Sequence, residues 1–267
     1  MPTTTEKREE FSEKTKPIRA KIATVLATEK ATVTAIKQGT DSVELKKLQL
    51  ADQMIYLSTL YIAINTLSVQ VLNFKNNDAL NDARKTVYRA LIYLEEVVSN
   101  IVDCPYKDLE PRLVPIASVP LEKRYYIMRK LGLLIDLLAD AFGDNSKWKW
   151  TFVEIRGRFV VIAKNLLDMK QAAKDYFDPN SDNYENTVLY VRLIRRLLDA
   201  SAVDYRDKYE LTATRRMDDM RMGINFLIAS RRVAMILGDS EASEEIRKKA
   251  IVWRNKLDAD TKSGASK

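Results

Sequence analysis

The chain has 267 residues, 46% of them hydrophobic, with 44 Lys and Arg against 37 Asp and Glu, one cysteine and no histidine. The missing histidine removes the side chain most used as general base, proton shuttle and metal ligand, and it excludes zinc sites of mixed Cys and His and di-iron sites that need Glu-x-x-His. The net charge of +7 is concentrated at the two ends: residues 1–40 carry eight basic against five acidic residues and 247–267 seven against two, while 41–246 carry 29 against 30.

Thr3 to Lys16 is rich in charge where a secretory signal would be apolar, so a cytoplasmic location is expected. The first helix is predicted over 5–38. Phe11, Ile18, Ile22 and Val25 form a narrow stripe at seven, four and three residue steps, which thins at Glu29 and resumes with Val33 and Ile36. Such a stripe suits docking onto one or two helices, of this chain or of a neighbouring subunit. Pro17 should start or bend this helix.

Three glycines punctuate the chain alike: Gly39-Thr40-Asp41-Ser42, Gly143-Asp144-Asn145-Ser146 and Gly238-Asp239-Ser240. Each reads as a tight helix-to-helix turn, with Gly in the left-handed position and Asp, Asn or Ser capping the next helix. Asp41 and Glu44 have capping-box spacing. The helix predicted over 42–75 contains the chargeless run Gln53 to Phe74, but eight polar residues interrupt it, among them Ser58, Asn65 and Ser68. That pattern predicts a buried central helix, with no transmembrane span.

A third helix is expected over 78–103, with Leu80, Val87, Leu91, Leu94 and Val98 on one face. Pro105, Pro111, Pro115 and Pro120 then mark 104–119 as a long connector without continuous helix. Further helices are predicted over 120–142, 146–177, 182–213, 215–237 and 240–259, with a break at Pro179. A tail from Ser263 to Lys267 is read as disordered. A 34-residue helix would extend about 51 Å, so the expectation is an all-α, elongated antiparallel bundle of about seven or eight helices with N- and C-terminal helical arms. Its organisation reads as a basic helical arm (1–40), a first helical group (41–103), the connector (104–119), a second helical group (120–238) and a basic C-terminal helix and tail (239–267).

Carboxylate pairs at Asp136/Asp140, Asp204/Asp207 and Asp218/Asp219 are the remaining route to metal chemistry, through magnesium held by facing acidic helices. Neither a DDxxD motif nor a paired second motif accompanies them. Cys104 lies near Asp103 and Asp108, which disfavour a thiolate, and no histidine can activate it. It reads as a small apolar side chain in a reducing compartment.

The Arg doublets Arg195-Arg196, Arg215-Arg216 and Arg231-Arg232 carry forks suited to phosphate or carboxylate and are candidate anion-binding residues. Nearby acids such as Asp199, Asp218 and Asp219 favour salt-bridged surfaces instead. In Lys147-Trp148-Lys149-Trp150-Thr151-Phe152, Trp148 is expected to close the bundle end, with Trp150 a candidate partner anchor. The last helix places Ile246, Ala250, Trp253 and Leu257 on one side and basic residues elsewhere. Trp253 and Leu257 are candidates for docking a partner helix, with a membrane surface as the sharper alternative.

The residues point to a non-enzymatic helical scaffold acting through protein contacts, without cofactor, as a subunit of a homo-oligomer or larger assembly. An anion or nucleic-acid binder using the Arg doublets and basic ends is the rival, and a magnesium-dependent helical enzyme a lesser one.

Overall fold

A computed structural model describes residues 4–143 and 146–264. Asp144 and Asn145 of the second glycine turn and residues 265–267 of the tail lie outside the described residues. Ten α-helices and one 3₁₀ turn account for most of the chain, with no strand among the described residues: α1 (Thr4–Lys37), α2 (Val43–Leu72), α3 (Asn77–Val97), α4 (Tyr106–Leu113), the 3₁₀ turn Val114–Ile116, α5 (Leu121–Phe142), α6 (Lys149–Leu166), α7 (Met169–Tyr176), α8 (Tyr184–Leu211), α9 (Met217–Ile236) and α10 (Ser240–Gly264). The protein is an all-α helical bundle.

The count exceeds the expected seven or eight because of two eight-residue helices. The proline-rich connector is one of them. Pro105 sits just before α4 with φ −61° and ψ 141°, and α4 then carries Pro111 inside it, so proline here starts a short helix instead of preventing one. The other arises because 146–177 breaks after Leu166. The Asp168 carboxylate accepts the backbone N–H groups of Lys170 and Gln171 at 3.0 and 3.1 Å, capping α7. In contrast, α1 runs through Pro17 without interruption.

The chain divides into two compact units. Unit 1 takes residues 1–97 and 127–149, and unit 2 takes 98–126 and 150–267. In unit 1, α3 buries Leu80, Ala83, Val87, Ala90, Leu91 and Leu94 completely against an α2 face that includes Leu50, Met54 and Leu57. That three-and-four spacing is the reason α3 is amphipathic. By length and composition α2 could cross a membrane, but its polar residues have work inside the unit. Ser58 donates to the Ala83 carbonyl at 2.7 Å, Ser68 to the Phe74 carbonyl at 2.9 Å, and Asn65 accepts the Asn76 N–H at 2.8 Å. Each satisfies a polar group that burial would otherwise strand.

Gly39, Gly143 and Gly238 all have positive φ, at 85°, 87° and 69°, the left-handed geometry their turns require. The predicted capping box at α2 does not form. Ser42 itself is left-handed and makes no side-chain cap, while Lys46 bonds the Asp41 carbonyl at 2.8 Å. At α10 the expected cap is present: Asp239 accepts the Ala242 N–H at 3.1 Å.

Candidate functional site

Unit 2 is built around α8, α9 and α10, which pack in sequence. Gly223 on α9 lets the neighbours come close, since a Cβ there would stand 3.0 Å from the Ala202 carbonyl of α8 and 3.3 Å from the Trp253 ring. Trp253 is 3% exposed and Leu257 8%. Both were expected to dock a partner, but they lie in the core of unit 2 instead, because the apolar face of α10 is covered by the chain's own helices. Tyr209 of α8 donates to the Asp260 carboxylate at 2.6 Å. Burial first, then Asp260, pushes the Tyr209 phenol up to about 12, and the bond from Tyr209 holds Asp260 below the usual carboxylate range.

Along α9 and α10 runs a groove of about 370 Å³. Its floor includes Ile224, Leu227, Ala250 and Ile251, and its rim carries Arg231, Arg232, Arg247 and Arg254. Met235, another lining residue, is 59% exposed. The spacing explains the rim: Arg247 and Arg254 stand seven apart on α10 with Ala250 and Ile251 between them, so all four share one helix side.

The four arginines differ in what they bind. Arg247 grips Glu244 with two bonds, of 2.8 and 2.7 Å, and that fork holds the Glu244 carboxyl below its ordinary range. Arg232 donates to Asp103 at 2.8 Å. Arg231 and Arg254 have no hydrogen-bond or ion-pair partner among the described residues, and the Arg231 Nε is buried and unsatisfied. A guanidinium rim over an apolar floor can take an occupant that is acidic on its edges and apolar on its face.

The remaining predicted residues are not drawn together there. Arg195 bonds Asp239 at 2.7 Å and so steadies the start of α10. Asp239 titrates below its usual range, through the Ala242 N–H first and Arg195 second. Arg196, Arg215 and Arg216 are exposed, and Arg215 has a φ of 37° in the α8–α9 turn. In unit 1, Ile22 is buried and Phe11, Ile18 and Val25 are half-buried on α1, the helix that packs along α2 of the same chain. Trp148 lies under the Arg84 guanidinium at 4.1 Å and edge-on to Phe142 at 6.0 Å, while Trp150 is half-buried.

The acidic pairs have separate attachments. Asp136 and Asp140 are exposed on α5, Asp218 pairs with Arg221 at 2.9 Å, and Asp219 with Lys208 at 2.9 Å. Among the described residues no three Asp, Glu, Cys or His side chains gather in a metal-binding arrangement. Cys104 is buried with a free thiol.

Fold and site together define an all-helical protein with an arginine-rimmed apolar groove. The chain belongs to the TP0443 family, which it matches over residues 7–261, across both units. No curated protein and no solved structure matches it.

Proposed function

We infer that this protein is a helical scaffold subunit that works by docking partner proteins, with the α9–α10 groove taking an acidic amphipathic helix. The observation that supports this reading most directly is the pairing of an apolar floor with Arg231 and Arg254, two cations without a hydrogen-bond or salt-bridge partner among the described residues, Arg231 meeting Glu244 only through space. A helix laid in a groove anchors itself through apolar residues at three and four residue steps. Glutamates on its flanks would meet the arginine rim, where complementary charge sets orientation and partner choice.

The rival reading as a nucleic-acid binder draws on the same cations. It is weakened by the internal pairing of Arg195 with Asp239 and Arg232 with Asp103, because a paired guanidinium contributes less to phosphate binding. The two readings separate in one titration. A synthetic helix with leucines at i, i+3 or i+4 and i+7 and flanking glutamates should bind, followed by fluorescence anisotropy, and a duplex DNA oligonucleotide should not. Saturable DNA binding that falls steeply with salt, with no peptide binding, would reverse the choice.

A further inference from the structure

A second cavity in unit 2 has a different chemistry. It is a cleft of about 550 Å³ bounded by α4, the 3₁₀ turn, the start of α5 and the length of α7. Its size falls in the range of small-molecule sites, about 300–1,000 Å³. Four charged side chains line it, Glu110, Arg124, Asp168 and Asp175, and two of opposite sign are more than nine-tenths buried: Arg124, 8% exposed, and Asp175, 6% exposed.

Neither charge has an ion-pair partner among the described residues. Arg124 donates to three backbone carbonyls, of Ile116 at 2.7 Å, Val119 at 2.9 Å and Leu166 at 3.5 Å. Five N–H donors in a fixed fork leave two beyond those three bonds. Asp175 accepts from the Gln171 amide at 3.1 Å and the Ser181 hydroxyl at 2.9 Å, both at the same oxygen, which leaves its other oxygen without a donor among the described residues. Burial lowers the Arg124 pKa, and Tyr190 and Asp168 act in the opposite sense. An arginine does not lose its proton in a protein, so the cation persists.

Taking a charge out of water is unfavourable unless an opposite charge compensates it. A structural pair would place the two charges against each other. Here each is hydrogen-bonded only to neutral groups, with Asp168 near enough to Arg124 to act on it through space, and both border one cleft, an arrangement that suits a ligand carrying its own two opposite charges. Tyr106 and Asp168 complete the wall: the phenol donates to Asp168 at 3.1 Å, and that same oxygen of Asp168 also accepts the two backbone N–H groups that start α7. Each carboxylate thus keeps one oxygen without a donor among the described residues; Asp168 is half-buried and caps α7, and Asp175 is the buried one left to meet a cation.

We propose that this cleft binds a small zwitterion of the free amino-acid class, with the ligand carboxylate on Arg124 and the ligand ammonium on Asp175. The site is independent of the α9–α10 groove and does not rest on the docking function.

Calorimetric titration of the full chain with each of the twenty L-amino acids tests it. At least one should bind, and its methyl ester and its N-acetyl derivative should each bind at least about tenfold more weakly. Asp175→Asn keeps an oxygen for Gln171 and Ser181 to bond, so its melting temperature should match or exceed that of the unmodified chain while amino-acid binding drops at least about tenfold. Arg124→Gln should lose binding as well, but it also weakens three carbonyl bonds, so the ester and N-acetyl arms on the unmodified chain carry the test if that variant does not fold. Absence of binding by all twenty overturns the proposal, as does equal binding of the ester or the N-acetyl form, or unchanged binding by Asp175→Asn.

Discussion

In unit 1 the buried carboxylate of Glu29 is met by the Arg89 guanidinium at 2.7 Å and the Tyr93 hydroxyl at 2.9 Å. In unit 2 Arg124, Lys164, Asp175 and Asp219 are equally buried, and of these four Asp219 alone has an ion-pair partner among the described residues, Lys208 at 2.9 Å. Unit 1 thus uses its buried charge to fasten α1 to α3. Unit 2 answers Asp219 in the same way, but it holds Arg124 with carbonyls and Asp175 with an amide and a hydroxyl, and these two border a cavity. The contrast teaches that buried charge has two uses: answered within the fold it contributes to structure, whereas left facing a cavity it is available to a ligand.

The largest expected effect sharpens the role of α10. Trp253→Ala should destabilise unit 2 by about 3–5 kcal/mol, because a large buried aromatic leaves a cavity behind it, read as a lower midpoint in urea unfolding. An unchanged midpoint together with lost partner binding would return Trp253 to the surface role its sequence position suggested.

Next in size is Arg89→Leu in unit 1. It strands the Glu29 carboxylate with Tyr93 alone, and leaving a buried acceptor short of a partner costs about 1–3 kcal/mol. Should stability hold, the Glu29 contact would be no better served than the unpaired charges of unit 2, and the contrast between the units would fail.

Alkaline titration reaches both units with a smaller, graded effect. Burial, then Glu29, raises the Tyr93 phenol to about 12, and burial raises Tyr209 to about 12 as well. These phenols keep their protons longer folded than unfolded, where the value is about 10. Their contribution is therefore whole below pH 10 and is lost as pH rises through about 12. Urea unfolding across that window should show falling stability, and Tyr93→Phe should flatten the part that comes from unit 1.

The smallest effect is expected from Lys164→Met. Burial lowers the Lys164 pKa, with Asp103 and Cys104 opposing that shift, and an apolar side chain of similar length should leave the melting temperature unchanged or raise it. A clear loss of stability would mean that Lys164 is answered within the fold as Glu29 is.

Much of the helical framework was legible because it rests on local chemistry. The three glycine turns require a left-handed residue wherever they occur, and the α3 face from Leu80 to Leu94 follows from helical period alone. The break at Asp168 is signalled by the spacing of Asp168 and Gln171, but the apolar periodicity continues across it and masks that signal. The prolines of 104–119 were read as breakers, yet Pro105 and Pro111 sit where a short helix accommodates them.

The sites were far less legible. An amphipathic stripe tells which side of α1 or α10 is covered, not what covers it, so the spacing of Ile22 and Trp253 is the same for a partner anchor as for the intramolecular core they occupy. Arg231 and Arg232 were singled out as a doublet, but Arg247 and Arg254 belong to another helix and join the rim only through the packing of α9 on α10. Arg124 and Asp175 have no local signature at all. Their convergence on one cleft is a product of tertiary structure, and ordinary charged residues in sequence give no warning of it.

The central claim, that the arginine rim selects an acidic helix, is tested most directly by a charge swap read as fluorescence anisotropy with two peptides, one bearing glutamates beside its leucines and one bearing lysines. The account predicts that the natural chain prefers the glutamate peptide by at least about tenfold, or about 1.4 kcal/mol, and that Arg231→Glu with Arg254→Glu reverses the preference. Equal binding of both peptides, or a preference untouched by the double substitution, would contradict it.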